Sequence, residues 1–202
     1  MEIPARAKHK FLTNRGLTVD RLASIGAIAV LASHCEFYAE QAVWSIDAIP
    51  VQGTRPRTDA KPISELIRLL ADFEEGKLKV GLTPLVAQWC KSADLCFSCR
   101  NSLMHGSTMY MDGEFTTFAR NVPTQGAKRK REFRDFYASQ NTLNLLEQAF
   151  EYLLHGIYVI WTESEKPDAL GDISKIMRGL REAWSIAAEL DNLAAAVNHE
   201  KY

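Results

Sequence analysis

The chain carries no excess of either charge. Its formal net charge is −1 over 202 residues, so any case for nucleic acid must rest on local patches. Cysteine is sparse: Cys35, Cys90, Cys96 and Cys99 are the four present. That is too few for a disulfide scaffold at this length and fits a reducing compartment. Long apolar runs are missing as well. Leu22 to Ala32 is eleven residues, where a membrane span needs about eighteen or more. No glycine-rich phosphate loop, nucleophile elbow or paired zinc-ligand motif occurs, which removes the chemistry each would carry. Internal repeats and low-complexity tracts are absent too. The basic start (Arg6, Lys8, Lys10, Arg15) before Leu22–Ala32 imitates a signal peptide. Against that, the leading segment is long, the run begins after Asp20-Arg21, and the apolar pattern continues through Phe37, Val43 and Trp44. The expectation is a soluble, cytoplasmic protein with no membrane association.

What is present is helical periodicity. Residues 1–17 read as a basic, flexible arm and residues 18–202 as a single helical domain. Thr18 or Asp20 caps a first helix running to about Asp47. Its stretch Ile25–Leu31 is apolar nearly all round, as in a central or partner-buried helix. Pro50, Gly53 and Pro56 mark a loop, and Pro62 suits the first turn of a second helix that Gly76 stops. Thr83 and Pro84 open a third. Met109–Phe118 reads as a hairpin turning at Asp112-Gly113. Ser139 or Thr142 starts a fourth helix with the stripe Leu143, Leu146, Phe150, Leu153, Ile157 and Ile160, broken at Glu165-Lys166-Pro167. A fifth carries Ile173, Ile176, Leu180, Trp184, Ala187, Leu190 and Val197. The fold class is all-α, a bundle of about five helices with a small β-hairpin insert.

The third helix holds the usable chemistry. Leu85, Trp89, Ser92, Cys96, Cys99 and Leu103 step by four and three and form a core face. Asp94, Ser98, Asn101 and His105 step the same way along a polar face. Asn101 is within reach of His105, and Gly106 ends the helix as a residue tolerant of the left-handed conformation. Arg100 precedes His105 by five residues, about 140° around an ideal helix. A planar guanidinium suits phosphate oxygens, and an imidazole moves protons near neutral pH. Together they suit metal-free RNA cleavage, in which the 2′-hydroxyl attacks the adjacent phosphorus. The same residues also suit an ordinary helix end, with the arginine paired to an acid and the histidine capping carbonyls.

Arg100-Asn101-x-x-x-His105 resembles the Arg-polar-x-x-x-His motif of HEPN domains, and Gly106 follows the histidine as in many of them. The resemblance implies an HEPN-like bundle and a metal-independent endoribonuclease of toxin–antitoxin or defence type, with no cofactor. Arg100 and His105 would be catalytic, with Asn101 orienting them. A homodimer would line one cleft with both motifs, and an antitoxin protein is a possible partner. In the branch paired with a nucleotidyltransferase antitoxin, a modified tyrosine stands two residues after the histidine. Here that position is Ser107 and the nearest tyrosine is Tyr110, which puts that mode of neutralisation in doubt. The alternative reading is a non-catalytic HEPN-like module binding a nucleotide or a protein partner.

Lys128, Arg129, Lys130, Arg131 and Arg134, with Phe133 among them, are candidate RNA-binding residues, since cations neutralise phosphates and an aromatic ring stacks a base. Cys96-x-x-Cys99 with Cys90 and His105 raises zinc. Cys96 and Cys99 fall on the core stripe across the helix from His105, so buried free thiols are the expectation and no metal site is assigned. His34, Glu36 and Glu40 lie on the first helix, from which a bundle could bring them to the motif to polarise it; the default is a solvent-facing stripe, and they are given no role.

Overall fold

The computed structural model describes residues 10, 12–49, 58, 61–73, 77–78, 81–110, 115–120, 134–166 and 170–199, with backbone alone at 109, 110 and 194–199. In chain order the elements are α1 (Val19–Ile46), α2 (Ile63–Ala71), α3 (Leu82–His105), β1 (Ser107–Tyr110), β2 (Thr116–Arg120), β3 (Arg134–Ala138), α4 (Gln140–Ser164) and α5 (Ser174–His199). This is the expected all-α architecture with a small β insert. The insert is larger than the expected hairpin, because β3 joins it to make an antiparallel sheet in the order β1-β2-β3.

Thr18 caps α1 as expected, its side chain accepting from the Arg21 N–H at 3.2 Å. The helix buries Ser24, Ile28, Ala32, Cys35, Ala39 and Ala42, a row at three- and four-residue steps that packs along α4. Ile28 is therefore core of its own chain, at 0% exposure, whereas Val30 and Phe37 stand 57% and 54% exposed. The all-round apolar character of Ile25–Leu31 thus divides between an inner row and an outward one. The run Leu22–Ala32 is short of a span, but the helix carrying it is not. By length and mean hydropathy, 1.4 over an 18-residue window, α1 meets the measure for a membrane span, as core helices of soluble proteins also do.

Leu12–Leu17, the described end of the expected flexible arm, is held to the sheet. Arg15 Nη1 donates to Thr108 O at 3.1 Å and Thr108 Oγ1 at 3.0 Å, and Leu17 is buried. Helix α2 ends at Ala71, where the Asp72 N–H closes onto Arg68 O, well before Gly76. Helix α3 begins at Leu82, one residue ahead of the expected cap, because Gly81 takes the left-handed backbone (φ +87°) that L side chains resist. Ser139 and Thr142 make a reciprocal cap at the start of α4.

The predicted core face of α3 is buried along its whole length. Trp89 Nε1 donates to Leu153 O of α4 at 2.9 Å, and the polar member, Ser92, donates to the α5 carbonyl of Leu180 at 2.8 Å. Cys96 and Cys99 lie 3.8 Å from the α5 carbonyls of Ala183 and Ala187. All four thiols are free and buried. Burial pushes the Cys99 thiol up to about 12, with Asp191 adding to the shift. Among the described residues no group of three or more histidines, cysteines or acids is placed to hold a metal ion.

Candidate active cleft

The core face of α3 fixes its rotation, and the polar face then has one place to go. Asp94, Ser98, Arg100, Asn101 and His105 line a cleft of about 580 Å³, closed by Glu36 of α1, the start of α2, Arg120 of β2, Arg134 of β3 and Asp191 of α5. The volume lies within the usual range for ligand pockets.

Arg100 is held by two neighbours in the cleft. It is 19% exposed, and its Nη2 lies 3.6 Å from Glu36 Oε1, an ion pair longer than a good hydrogen bond. Its Nη1 donates to Asn101 Oδ1 at 3.1 Å. The Nε, buried in the same place, has no hydrogen-bond partner among the described residues. The fork is oriented on one side and has an unsatisfied donor on the other. Buried donors in that condition are rare and point to a ligand or a functional role.

His105 is the last residue of α3 and is exposed. Among the described residues it has no hydrogen-bond or ion-pair partner. Asn101 is one helical turn away, but its oxygen is engaged by Arg100. The carboxamide therefore orients the guanidinium and not the imidazole. Arg100 and His105 border the same cleft without unwinding of the helix, since the Gly106 N–H still closes onto Ser102 O at 2.9 Å.

Gly106 is required for a reason other than left-handed backbone. Its φ of −79° and ψ of 146° are open to any residue. What it lacks is room: a Cβ there would collide with Ser102 O and meet the Phe118 backbone carbon at 2.9 Å. The glycine lets β2 press directly onto the end of α3, which brings the sheet's cations to the cleft.

Those cations form a cross-strand pair. β2 and β3 are in register with Phe118 opposite Phe136 and Arg120 opposite Arg134. Residues two apart on a strand share a face, so the two arginines continue the side on which the two buried phenylalanines lie. Arg134 Nη1 donates to Ser98 Oγ at 2.6 Å and lies 3.8 Å from Asp191 Oδ1. Of the RNA-binding candidates, Arg134 is thus beside Arg100 and His105, while Lys128, Arg129, Lys130 and Arg131 lie outside the described residues.

Three charged cleft residues were given no role in the sequence reading. Glu36 looked like one of several polar residues on α1, and only the packing of Cys35 against α4 turns it toward α3. Arg120 ends the strand Thr116-Thr-Phe-Ala-Arg, whose pairing is visible only if Arg134-Asp-Phe-Tyr-Ala is itself read as a strand. Its two aromatic residues were the available signal. Asp191 comes from α5, far away in sequence. Compared with known proteins, the chain matches no family model, no curated sequence and no solved structure.

Proposed function

We propose that the chain is a metal-independent endoribonuclease of HEPN type. Arg100 holds the scissile phosphate and stabilises the charge that grows on it as the 2′-hydroxyl attacks phosphorus. His105 transfers the proton at that step. Asn101 and Glu36 fix the guanidinium. The observation that carries the reading is the cleft itself: an imidazole with no protein partner among the described residues shares it with an arginine whose Nε donor is unsatisfied. The outward row on α1, with Val30 and Phe37 exposed, supports a second chain, either a second copy or an antitoxin protein.

The test is RNA cleavage in chelator by wild type and His105→Ala. Wild type cleaves RNA and spares DNA, which lacks the attacking 2′-hydroxyl. The variant loses about 10²- to 10⁴-fold in rate. Because His105 is exposed, its thermal stability stays within about 0.5 kcal/mol of wild type. Equal cleavage by both proteins removes His105 from the mechanism. The second reading, a non-catalytic module that binds a nucleotide or a protein partner, draws on the Glu36–Arg100–Asn101 contacts, which also suit a purely structural ion pair. It is favoured if wild type binds RNA without cleaving it.

A further inference from the structure

Arg120 and Arg134 stand directly opposite each other on adjacent strands and line the same cleft as Arg100 and His105. Like charges directly opposed across a ladder destabilise it. Both are cations on the cleft wall at the described end of the β2–β3 ladder, a placement that an anion in the cleft would stabilise. The contacts of Arg134 with Ser98 and Asp191 both run through Nη1. That leaves the rest of its five-donor guanidinium for a ligand, and 41% of the side chain is exposed. Asp191 competes with an anion at Nη1 alone; of the two other acids that line the cleft, Glu36 is engaged by Arg100 and Asp94 lies on α3.

We propose that Arg120 and Arg134 form a second phosphate subsite, which takes the phosphate next to the scissile one in single-stranded RNA. The subsite rests on the nuclease reading for its register: Arg100 holds one phosphate, and the sheet arginines hold its neighbour. Planar forks match phosphate oxygens in bidentate fashion, and two of them at one end of the cleft fix which way the strand runs past His105. The subsite reads no base. It sets the shortest substrate that binds well.

Two measurements test it on the full chain. The first is the affinity of a fluorescein-labelled, 2′-O-methylated tetranucleotide, which cannot be cleaved, followed by anisotropy across a salt series. For a single strand the slope of log K against log salt falls by about 0.7 for each phosphate that is no longer neutralised. Arg120→Gln is expected to flatten the slope by that amount and weaken binding roughly tenfold, while Arg120→Lys keeps most of both. The second is cleavage of a dinucleotide and of a trinucleotide that extends it by one phosphate. Arg120→Gln and Arg134→Gln are expected to lose about tenfold more in kcat/KM on the longer substrate than on the shorter. Circular dichroism confirms that each variant is folded, and Arg134→Gln carries the test if Arg120→Gln does not fold. Wild-type slope and affinity in folded Arg120→Gln and Arg134→Gln would overturn the subsite, as would equal losses on both substrates. If wild type cleaves neither substrate yet Arg120→Gln still flattens the salt slope, the subsite stands and the nuclease reading falls. If wild type neither cleaves nor binds, both fall.

Discussion

Cys99 and Arg100 are adjacent in the chain and belong to different solvents. Cys99 is 5% exposed, and its thiol lies against an α5 carbonyl. The guanidinium of Arg100 opens into a cleft that holds acids, amides and an imidazole. The whole of α3 is divided this way. One side is sealed by α4 and α5 and rejects charge, and the other is a wall on which charges are held apart by fixed contacts. The comparison separates two kinds of importance: residues on the sealed side decide whether there is a helix α3 to speak of, and residues on the open side carry the proposed function.

Trp89→Ala breaks the sealed side hardest. Trp89 is fully buried and gives its indole N–H to Leu153 O. Its removal is expected to cost about 3–5 kcal/mol, read as a lower urea midpoint, while the folded fraction keeps its specific activity. His105→Ala should do the reverse, losing activity without stability. If Trp89→Ala instead lowers activity per folded molecule, the two sides are coupled and the division is weaker than drawn.

Gly106→Ala acts at the seam. Its Cβ meets backbone, Ser102 O and the Phe118 carbonyl carbon, so β2 must shift away from α3. Overpacking of this kind costs about 1–3 kcal/mol. Because the shift carries Arg120 with it, RNA affinity should fall along with the melting temperature. A fall in melting temperature alone would show that the sheet arginines do not need their present distance from α3.

The thiols sharpen the comparison by pH. Burial pushes both Cys90 and Cys99 up to about 12 from an ordinary value of 9.0. Below pH 9 the neutral thiol is the form in both folded and unfolded chains, and its contribution to stability is complete. Above pH 9 the unfolded chain loses its thiol protons while the folded chain keeps them, so stability falls until the folded values near 12 are reached. The expected loss is on the order of 1 kcal/mol per thiol for each pH unit in that window, measured as urea midpoints from pH 8 to 10.5. The Cys90→Ala, Cys99→Ala double variant should show a shallower decline. An equal decline would place the alkaline sensitivity elsewhere.

The sealed side of α3 was legible in advance because burial leaves a period: Leu85, Trp89, Ser92, Cys96, Cys99 and Leu103 repeat as a core face must. The polar stripe from Asp94 to His105 was legible for the same reason, as its complement. The stretch Ile25–Leu31 left central and partner-buried helices open, because a helix apolar on every side does not say which side its own chain will cover. Glu36, Arg120 and Asp191 were hidden for a different reason. Each reaches the cleft by tertiary packing or strand register, and neither leaves a local periodicity. The strand β3 was obscured by the cations ahead of it, which read as connector. Asn101 was in reach of two partners, and sequence spacing does not rank an imidazole one turn away against a guanidinium next door.

The pairing of Arg120 with Arg134 has a consequence for how this chain tolerates change. The two residues bracket positions 121–133, and paired strand residues stand about 5 Å apart. Between ends fixed that way, chain length is a weak variable: doubling the number of residues that close such a gap costs only about 0.6 kcal/mol, and a two-residue turn bridges the same distance. The register of β2 with β3 is therefore expected to tolerate insertion or deletion between positions 120 and 134, read as a nearly unchanged melting temperature in an insertion variant.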